Sequence, residues 1–509
     1  MQSRWIYLTI AASVSLIGVG LTTASGQPNK ANPPANPQPI ISPLEWLPPN
    51  PAVMMPAHEQ MPIYFVNRSQ SLAEWQKLPS FWNVVSEKVT DPLTGKQYER
   101  KAVKIKVPLG LTRNPPVPAE NPMTVQKWEL GRELFFDVAL STDSTVSCAS
   151  CHNAKTAYVD NLPTSVGIGG KVGGMNAPTV INSAYNPLQF WDGRAASLEE
   201  QAQGPVTNPV EMFDPRGDKN ADAWHQAVLR IRQNPSYTKR FLSVFGTLPT
   251  RDAIAKAIAT YERTVLAADS LYDRAELAMR ERVAEEESNK FVVTAQDYET
   301  VLKAALAEKD TASLEAIQFV PAKLSETAKR LANGHALFFG KARCNSCHVG
   351  DNFTDNEFHN LGVGVVDGQL QPNHYGRFVR LPTGHKRPDT IGAFKTPTLR
   401  SLVTTAPYMH DGSEKTLEDV VEFYDRGGNP NEFLDVKMRD FEAERAYLRD
   451  PKGYNGPKVY LFGEAQTPIV PLRLNLTPQE KADLVLFLRA LQGRPVDPIV
   501  ANPTMPIPR

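Results

Sequence analysis

The chain has 509 residues, with 55 Lys and Arg set against 55 Asp and Glu, and 41% of its residues are hydrophobic. A length of this order suggests roughly two to four domains with sizeable cores. A formal net charge of zero removes the bulk-charge argument for nucleic acid or an anionic membrane surface as partner.

Arg4 is followed by an uncharged run, Trp5 to Leu21, and then by the small residues Thr22-Thr23-Ala24-Ser25-Gly26. This pattern reads as an export signal over residues 1–26 that is cleaved, which places the protein in the periplasm. The run is near the lower limit of a membrane span, so membrane association follows only if the segment is retained. Residues 27–60 are dense in proline, from Pro28 to Pro56, and read as an extended linker. Residues 61–114 form an accessory region. Within it Asp91-Pro92-Leu93-Thr94-Gly95 is a turn signal between Val84–Val89 and Tyr98–Val107, which predicts a β-hairpin.

Cys148-Ala149-Ser150-Cys151-His152 is a C-x-x-C-H pentapeptide, and it recurs as Cys344-Asn345-Ser346-Cys347-His348. Two thiols at this spacing form thioethers to the vinyl groups of one haem, with the following histidine as axial iron ligand. The halves of a zinc ribbon lie only about 15–20 residues apart, and a thioredoxin-like couple needs a βαβ context and no second copy. The two motifs use all four cysteines of the chain, leaving none for a disulfide framework. Two covalently bound haem c groups are predicted, and thioether attachment outside the cytoplasm agrees with export.

The two halves echo each other further. Gly131-Arg132-Glu133-Leu134-Phe135-Phe136 precedes the first motif and Gly334-His335-Ala336-Leu337-Phe338-Phe339 the second, each at the end of a predicted helix whose Leu and Phe would cover a haem face. Downstream, Pro178-Thr179, Asp192-Gly193 and Leu198-Glu199 are matched by Pro397-Thr398, Asp411-Gly412 and Leu417-Glu418 at a constant offset of 219. A duplication is the economical account. Asp252–Leu266 has helical spacing, and Thr477-Pro478-Gln479-Glu480 is a capping box that opens the helix Lys481–Leu491. The lobes, 115–279 and 329–495, are therefore mainly α-helical. Residues 280–328 between them read as a solvated helical insertion, and 496–509 as a tail.

The constant offset permits a comparison of the iron sites. Pro205 is matched by Tyr424, Gln201 by Val420, and Trp191 by His410. Proline cannot ligate iron whereas a phenolate can, so the first haem is predicted open and the second closed. An open ferric haem binds hydrogen peroxide, and cleaving the O–O bond needs a group that moves a proton between its oxygens. Glu211 is the candidate, with Gln201 orienting the peroxide; a solvated loop carboxylate is the alternative for Glu211. Met409 competes with Tyr424 as sixth ligand of the second haem.

Leu130–Phe136, Ser147–His152, Phe190-Trp191-Asp192-Gly193-Arg194-Ala195-Ala196, Gly204-Pro205 and Ala406-Pro407-Tyr408-Met409-His410-Asp411-Gly412 resemble the bacterial di-haem cytochrome c peroxidase and MauG superfamily over about residues 115–495. The resemblance implies a mainly α fold of two cytochrome c-like haem domains, with peroxide reduced at the N-terminal haem and electrons supplied through the C-terminal one. It implies that Glu211 and Gln201 are the distal pair, that Trp191 relays electrons between the haems, with core packing its alternative, and that Asn176 with the carbonyls of Thr405 and Pro407 binds an interdomain calcium ion.

Two departures point to the MauG-like branch, which stores two oxidising equivalents across the haem pair. Ile168 stands where peroxidases that need reductive activation carry a capping histidine, and Tyr424 where they carry a ligating methionine. Against close analogy, Ala342 stands where MauG-like action on a protein uses a surface tryptophan. Three readings follow: a MauG-like peroxidase or oxidase; a conventional cytochrome c peroxidase fed by a small cytochrome or cupredoxin; and a non-catalytic di-haem carrier, against which Ile168 and Pro205 argue. The partner is correspondingly a small redox protein or a protein substrate.

Overall fold

The computed structural model describes residues 47–91, 94–216 and 222–509. The predicted signal segment and the linker up to residue 46 lie outside them. The described part of the linker is held in place: Asn50 N–H donates to Gly246 O and Met55 N–H to Ser243 O, both at 2.8 Å. The accessory region is a three-stranded sheet of β1 (Ile63–Val66), β2 (Trp82–Thr90) and β3 (Gln97–Lys106), in the order β1-β3-β2. β2 and β3 pair antiparallel, Val84 opposite Val103, and β1 runs parallel to β3. The sheet buries Trp82, Val103 and Ile105 against the first lobe, with the Trp82 and Trp128 rings 4.8 Å apart.

The first lobe contains α1 (Val125–Phe136), α2 (Ala223–Gln233), α3 (Pro235–Phe245) and α4 (Arg251–Glu262). Thr124 and Thr250 cap α1 and α4 by accepting hydrogen bonds from Lys127 and Ala253 N–H, satisfying donors that a helix start leaves free. α1 crosses α4 at Gly131, where a Cβ would lie 1.8 Å from Ala257 O. The tail returns to this lobe, where buried Arg132 donates to Ile499 O at 2.7 Å.

Between the lobes stand α5 (Leu271–Glu285) and α6 (Ala295–Ala307). The solvated insertion expected from 280 is corrected here. α5 begins before it, and Met279, Val283, Tyr298 and Leu302 form a core with Ala328, Leu331, Leu486 and Ala490. Charges such as the Arg282–Asp297 pair at 2.8 Å dominate the composition, yet Leu271, Ala275 and Met279 recur every four residues and make one buried face.

The second lobe repeats the first with α7 (Leu324–Phe339), α8 (Leu417–Asp425) and α9 (Pro478–Ala490). Thr477 and Glu480 form the capping box at the start of α9. α7 crosses α9 at Gly334, whose Cβ would lie 2.1 Å from Asp483 O. The loops match as well. Phe190 and Met409 take φ of 67° and 69°, and Asn182 and Ser401 take 58° and 59°. Gln189 N–H donates to Ala195 O at 2.8 Å, as Tyr408 N–H donates to Glu414 O at 2.7 Å.

Gly131→Ala is expected to force the α1–α4 crossing apart and to destabilise the protein by roughly 1–3 kcal/mol, the usual cost of overpacking. Thermal unfolding followed by circular dichroism measures this, and an unchanged midpoint would contradict the close crossing.

Candidate functional site

Each lobe encloses a cleft. Cys151, His152, Gln201, Pro205 and Glu211 line the first, of about 1220 Å³ with its open mouth. Cys344, Cys347, His348, Met409 and Tyr424 line the second, of about 1580 Å³. Trp191 and Asn176 line both clefts and so form the partition between them. Phe135 and Phe338 both sit in the core of their lobe, 5.0 Å from the Tyr261 ring and 5.2 Å from the Phe487 ring, and of the two only Phe338 also lines a cleft.

Cys148 to Cys151 form a single helical turn, and all four cysteines are unpaired. Burial pushes the Cys151 thiol up to about 11 and the Cys344 thiol to about 12, with Cys148 higher still. Protonated thiols of this kind are poor nucleophiles at neutral pH, which disfavours a reactive redox couple. Each motif histidine is oriented by its backbone: His152 Nδ1 lies 3.2 Å from Tyr158 O, and His348 Nδ1 lies 2.8 Å from Phe353 O. A carbonyl only accepts, so Nδ1 carries the proton in both. Burial lowers both imidazole pKa values, and a neutral ring leaves Nε2 with its lone pair for a metal.

In the first cleft, Gln201 and Pro205 lie on the short helices Leu198–Gln201 and Gly204–Thr207, and Glu211 follows on the next turn. Glu211 accepts a hydrogen bond from Asn208 Nδ2 at 2.5 Å. Burial raises its carboxyl pKa, opposed by the Arg194 charge and the Asn208 hydrogen bond, so Glu211 is no freely solvated loop residue. Ile168 N–H donates to Glu211 O at 2.9 Å, and a Cβ on Gly167 would lie 2.0 Å from Val210 O. This packing fixes the 167–168 loop against the Glu211 turn. The Ile168 side chain is 1% exposed and belongs to the core of the first lobe.

Two features of this cleft were not legible in advance. Arg380, contributed by the second lobe, lines it and binds Asp192 at 2.7 Å, while Arg194 holds the same carboxylate at 3.0 Å. Glu262, at the end of α4, also lines it, 5% exposed, and its Oε2 has no hydrogen-bond partner. Burial pushes that carboxyl up to about 8. The glycine crossings place Glu262 opposite Leu488 of α9, which lines the second cleft. A glutamate inside a helical apolar pattern carries no signal of its own; the comparison of the two lobes supplies one.

In the second cleft the Tyr424 hydroxyl has no hydrogen-bond partner among the described residues, and burial raises its pKa. Met409 lines the same cleft, so both candidate ligands are present. His410 is engaged elsewhere: its Nε2 lies 2.8 Å from His374 Nδ1 and its ring stacks on Phe394 at 3.5 Å. Ala342 is 4% exposed, so the position is buried as well as non-aromatic.

Across the partition the lobes exchange matched hydrogen bonds. Asn176 N–H donates to His410 O and Lys395 N–H to Trp191 O, each at 2.8 Å, and these pairs are related by the same offset of 219. Trp191 Nε1 donates to Asn176 O at 2.9 Å. Asn176 Nδ2 is bound to Leu162 O. Asn176 Oδ1 and the carbonyl oxygens of Thr405 and Pro407 accept no hydrogen bond among the described residues.

A family model described as di-haem cytochrome c peroxidase matches residues 125–281. The methylamine utilization protein MauG of Methylorubrum extorquens is 33% identical over 341 residues, covering 66% of this chain and 78% of its own length. The cytochrome-c peroxidase IdrP1 of a Pseudomonas strain is 30% identical over 421 residues, covering 77% of this chain and 89% of its own. This chain belongs to the di-haem cytochrome c peroxidase and MauG family. The crystal structure of a MauG-like protein associated with microbial copper homeostasis shares its fold at 27% identity and a TM-score of 0.53, covering 77% of this chain and 97% of that one. As a di-haem peroxidase relative, the chain is a haem-dependent oxidoreductase that acts on peroxide and works with a redox protein or a protein substrate. The two clefts, each lined by both a motif cysteine and the motif histidine and mainly by apolar surface, fit haem. None of the described helices is long and apolar enough to cross a membrane.

Glu262 links the first cleft to pH. Its folded value of about 8 lies above an ordinary value near 4.5, so the folded protein keeps a proton that the unfolded chain releases. That contribution is complete below about pH 4.5 and is lost as pH rises through about 8. Glu262→Gln should therefore lose less stability than the parent between pH 5 and 9, by an amount on the order of a few kcal/mol. Thermal unfolding at both pH values tests this; identical declines in the two proteins would refute a neutral Glu262.

Proposed function

We propose that this protein is a MauG-like enzyme in which both C-x-x-C-H motifs hold haem through thioethers and hydrogen peroxide reacts in the first cleft. The observation that carries this reading is Ile168. Its side chain is apolar and turned into the core, so position 168 offers no capping ligand, and on this reading the first cleft is ready for peroxide without prior reduction. When bound, each haem supplies an iron that exchanges single electrons, and the first iron provides the position at which peroxide is held.

The surrounding residues then have defined tasks. The Gln201 amide orients the peroxide, and it cannot move a proton at neutral pH. Glu211 takes the proton from one peroxide oxygen and returns it to the other as the O–O bond breaks, ending in its starting state. Burial raises its carboxyl pKa against the opposing Arg194 charge and Asn208 hydrogen bond, which is the direction a proton-exchanging carboxylate needs. Pro205 leaves space where the matched position of the other lobe holds Tyr424. Trp191, walling both clefts, is the route for electrons between them. Asn176 Oδ1 with the carbonyls of Thr405 and Pro407 supplies hard oxygen donors for calcium, and the N-terminal segment directs the protein to the periplasm.

The IdrP1 relative, matched over 89% of its length, is named a cytochrome-c peroxidase, and it favours a second reading as a conventional peroxidase fed by a small cytochrome or cupredoxin. Adding peroxide to the fully oxidised protein separates the two. An immediate spectral change in both haems supports the MauG-like reading, and a response only after partial reduction supports the conventional one.

Glu211→Gln should slow peroxide cleavage by about 10²–10⁴-fold while both haem spectra stay as in the parent. Stopped-flow traces with unaltered kinetics would remove Glu211 from the reaction. In electron paramagnetic resonance, Tyr424→Phe should convert the second iron to high spin. A retained low-spin signal moves the sixth ligand to Met409, and Met409→Leu then identifies it.

A further inference from the structure

Lys395 ends the two-residue strand Phe394–Lys395, which pairs with Phe358–His359. It is 8% exposed and lines the second cleft but not the first. Among the described residues, nothing accepts a hydrogen bond from its Nζ and no carboxylate forms an ion pair with it. Burial alone acts on the ammonium, pulling it down to about 8, with no neighbouring charge to offset the effect.

The other buried cations differ. Arg400 meets Asp273 at 2.5 Å, and Lys127 Nζ donates to Asn121 Oδ1 at 2.9 Å and Pro122 O at 2.6 Å. Arg132 has the carbonyls of the C-terminal tail, and Arg263 has Glu199. An ammonium at an apolar wall without an acceptor costs several kcal/mol. The position therefore suits an anion that the polypeptide itself does not contribute.

We propose that Lys395 is a positioning residue that binds a propionate carboxylate of the haem in the second cleft. This rests on the haem reading above, since haem brings two carboxylates into the space that Lys395 faces. The matched residue of the first lobe is Asn176, a neutral amide, and the cations that line the first cleft, Arg194 and Arg380, are both held by Asp192, so an unpaired buried ammonium marks the second cleft alone among the described residues. Lys395 also donates its backbone N–H to Trp191 O. One residue thus ties the carboxylate of the second haem to the backbone of the partition, fixing the haem edge relative to the indole.

The test uses the full-length holoprotein and the variants Lys395→Met and Lys395→Arg. Haem content comes from the alkaline pyridine spectrum, and the two midpoint potentials from spectroelectrochemical titration, in chloride and in phosphate. With two haems per chain in every protein, Lys395→Met should lower the midpoint of the second haem, because an uncompensated carboxylate favours ferric iron. The first midpoint should not move, and Lys395→Arg should restore the parent value. An unchanged second midpoint in Lys395→Met overturns the assignment, as does a shift confined to the first haem. A midpoint that follows the buffer anion in the parent shows that a free anion occupies the position, which also overturns it. A variant that loses haem yields no midpoint; then the parent's independence of buffer anion together with parent-like haem content and potentials in Lys395→Arg supports the pairing, and their loss in Lys395→Arg defeats it. Absence of the second haem from the parent protein would instead remove the haem reading itself.

Discussion

The two clefts depend on a reciprocal exchange of backbone hydrogen bonds across the partition. Asn176 of the first lobe donates to His410 of the second, and Lys395 of the second donates to Trp191 of the first. These contacts occupy equivalent positions, so the lobes meet around an approximate two-fold relation inherited from the duplication. An N–H and a C=O buried at a lobe boundary need partners, and each lobe supplies the other's. The indole of Trp191 is thereby set between the clefts.

On this symmetric frame the side chains are deliberately unlike. Pro205 faces Tyr424 across the duplication, Gln201 faces Val420, Glu262 faces Leu488 and Asn176 faces Lys395. The helices, the glycine crossings and the left-handed turns at Phe190 and Met409 are common to both lobes. Backbone and chemistry are thus separable. The first cleft collects two buried carboxyl groups, Glu211 and Glu262, whereas the second collects a phenol, a thioether and an unpaired ammonium. In the proposed division of labour, an oxidant-binding centre and an electron-handling centre need such different surroundings, because the first must manage protons and the second must tune a potential.

Much of this was readable from the residues. The C-x-x-C-H motifs, the offset between lobes and the capping box at Thr477 are local patterns whose physical meaning travels with them. The candidate residues Gln201, Pro205 and Glu211 do converge on one cleft, and Tyr424 and Met409 on the other. What escaped was long-range. Arg380 is distant in sequence from the Asp192 it binds, and Glu262 lies in a helix whose other positions are apolar. The buried face of α5 and α6 was masked by the charges on their outer face. The helix-end phenylalanines pack alike in the two lobes, Phe135 on Tyr261 and Phe338 on Phe487, although only Phe338 also reaches a cleft.

The partition has a consequence for how independent the halves are. The indole of the first lobe completes the wall of the second cleft, and Arg377 and Arg380 of the second lobe clasp Asp192 and Gly193 beside the first. Neither half is therefore a self-sufficient cytochrome joined to another by a tether. Duplication began with a repeated module, but the boundary has since been shared out so thoroughly that each cleft is finished by its neighbour.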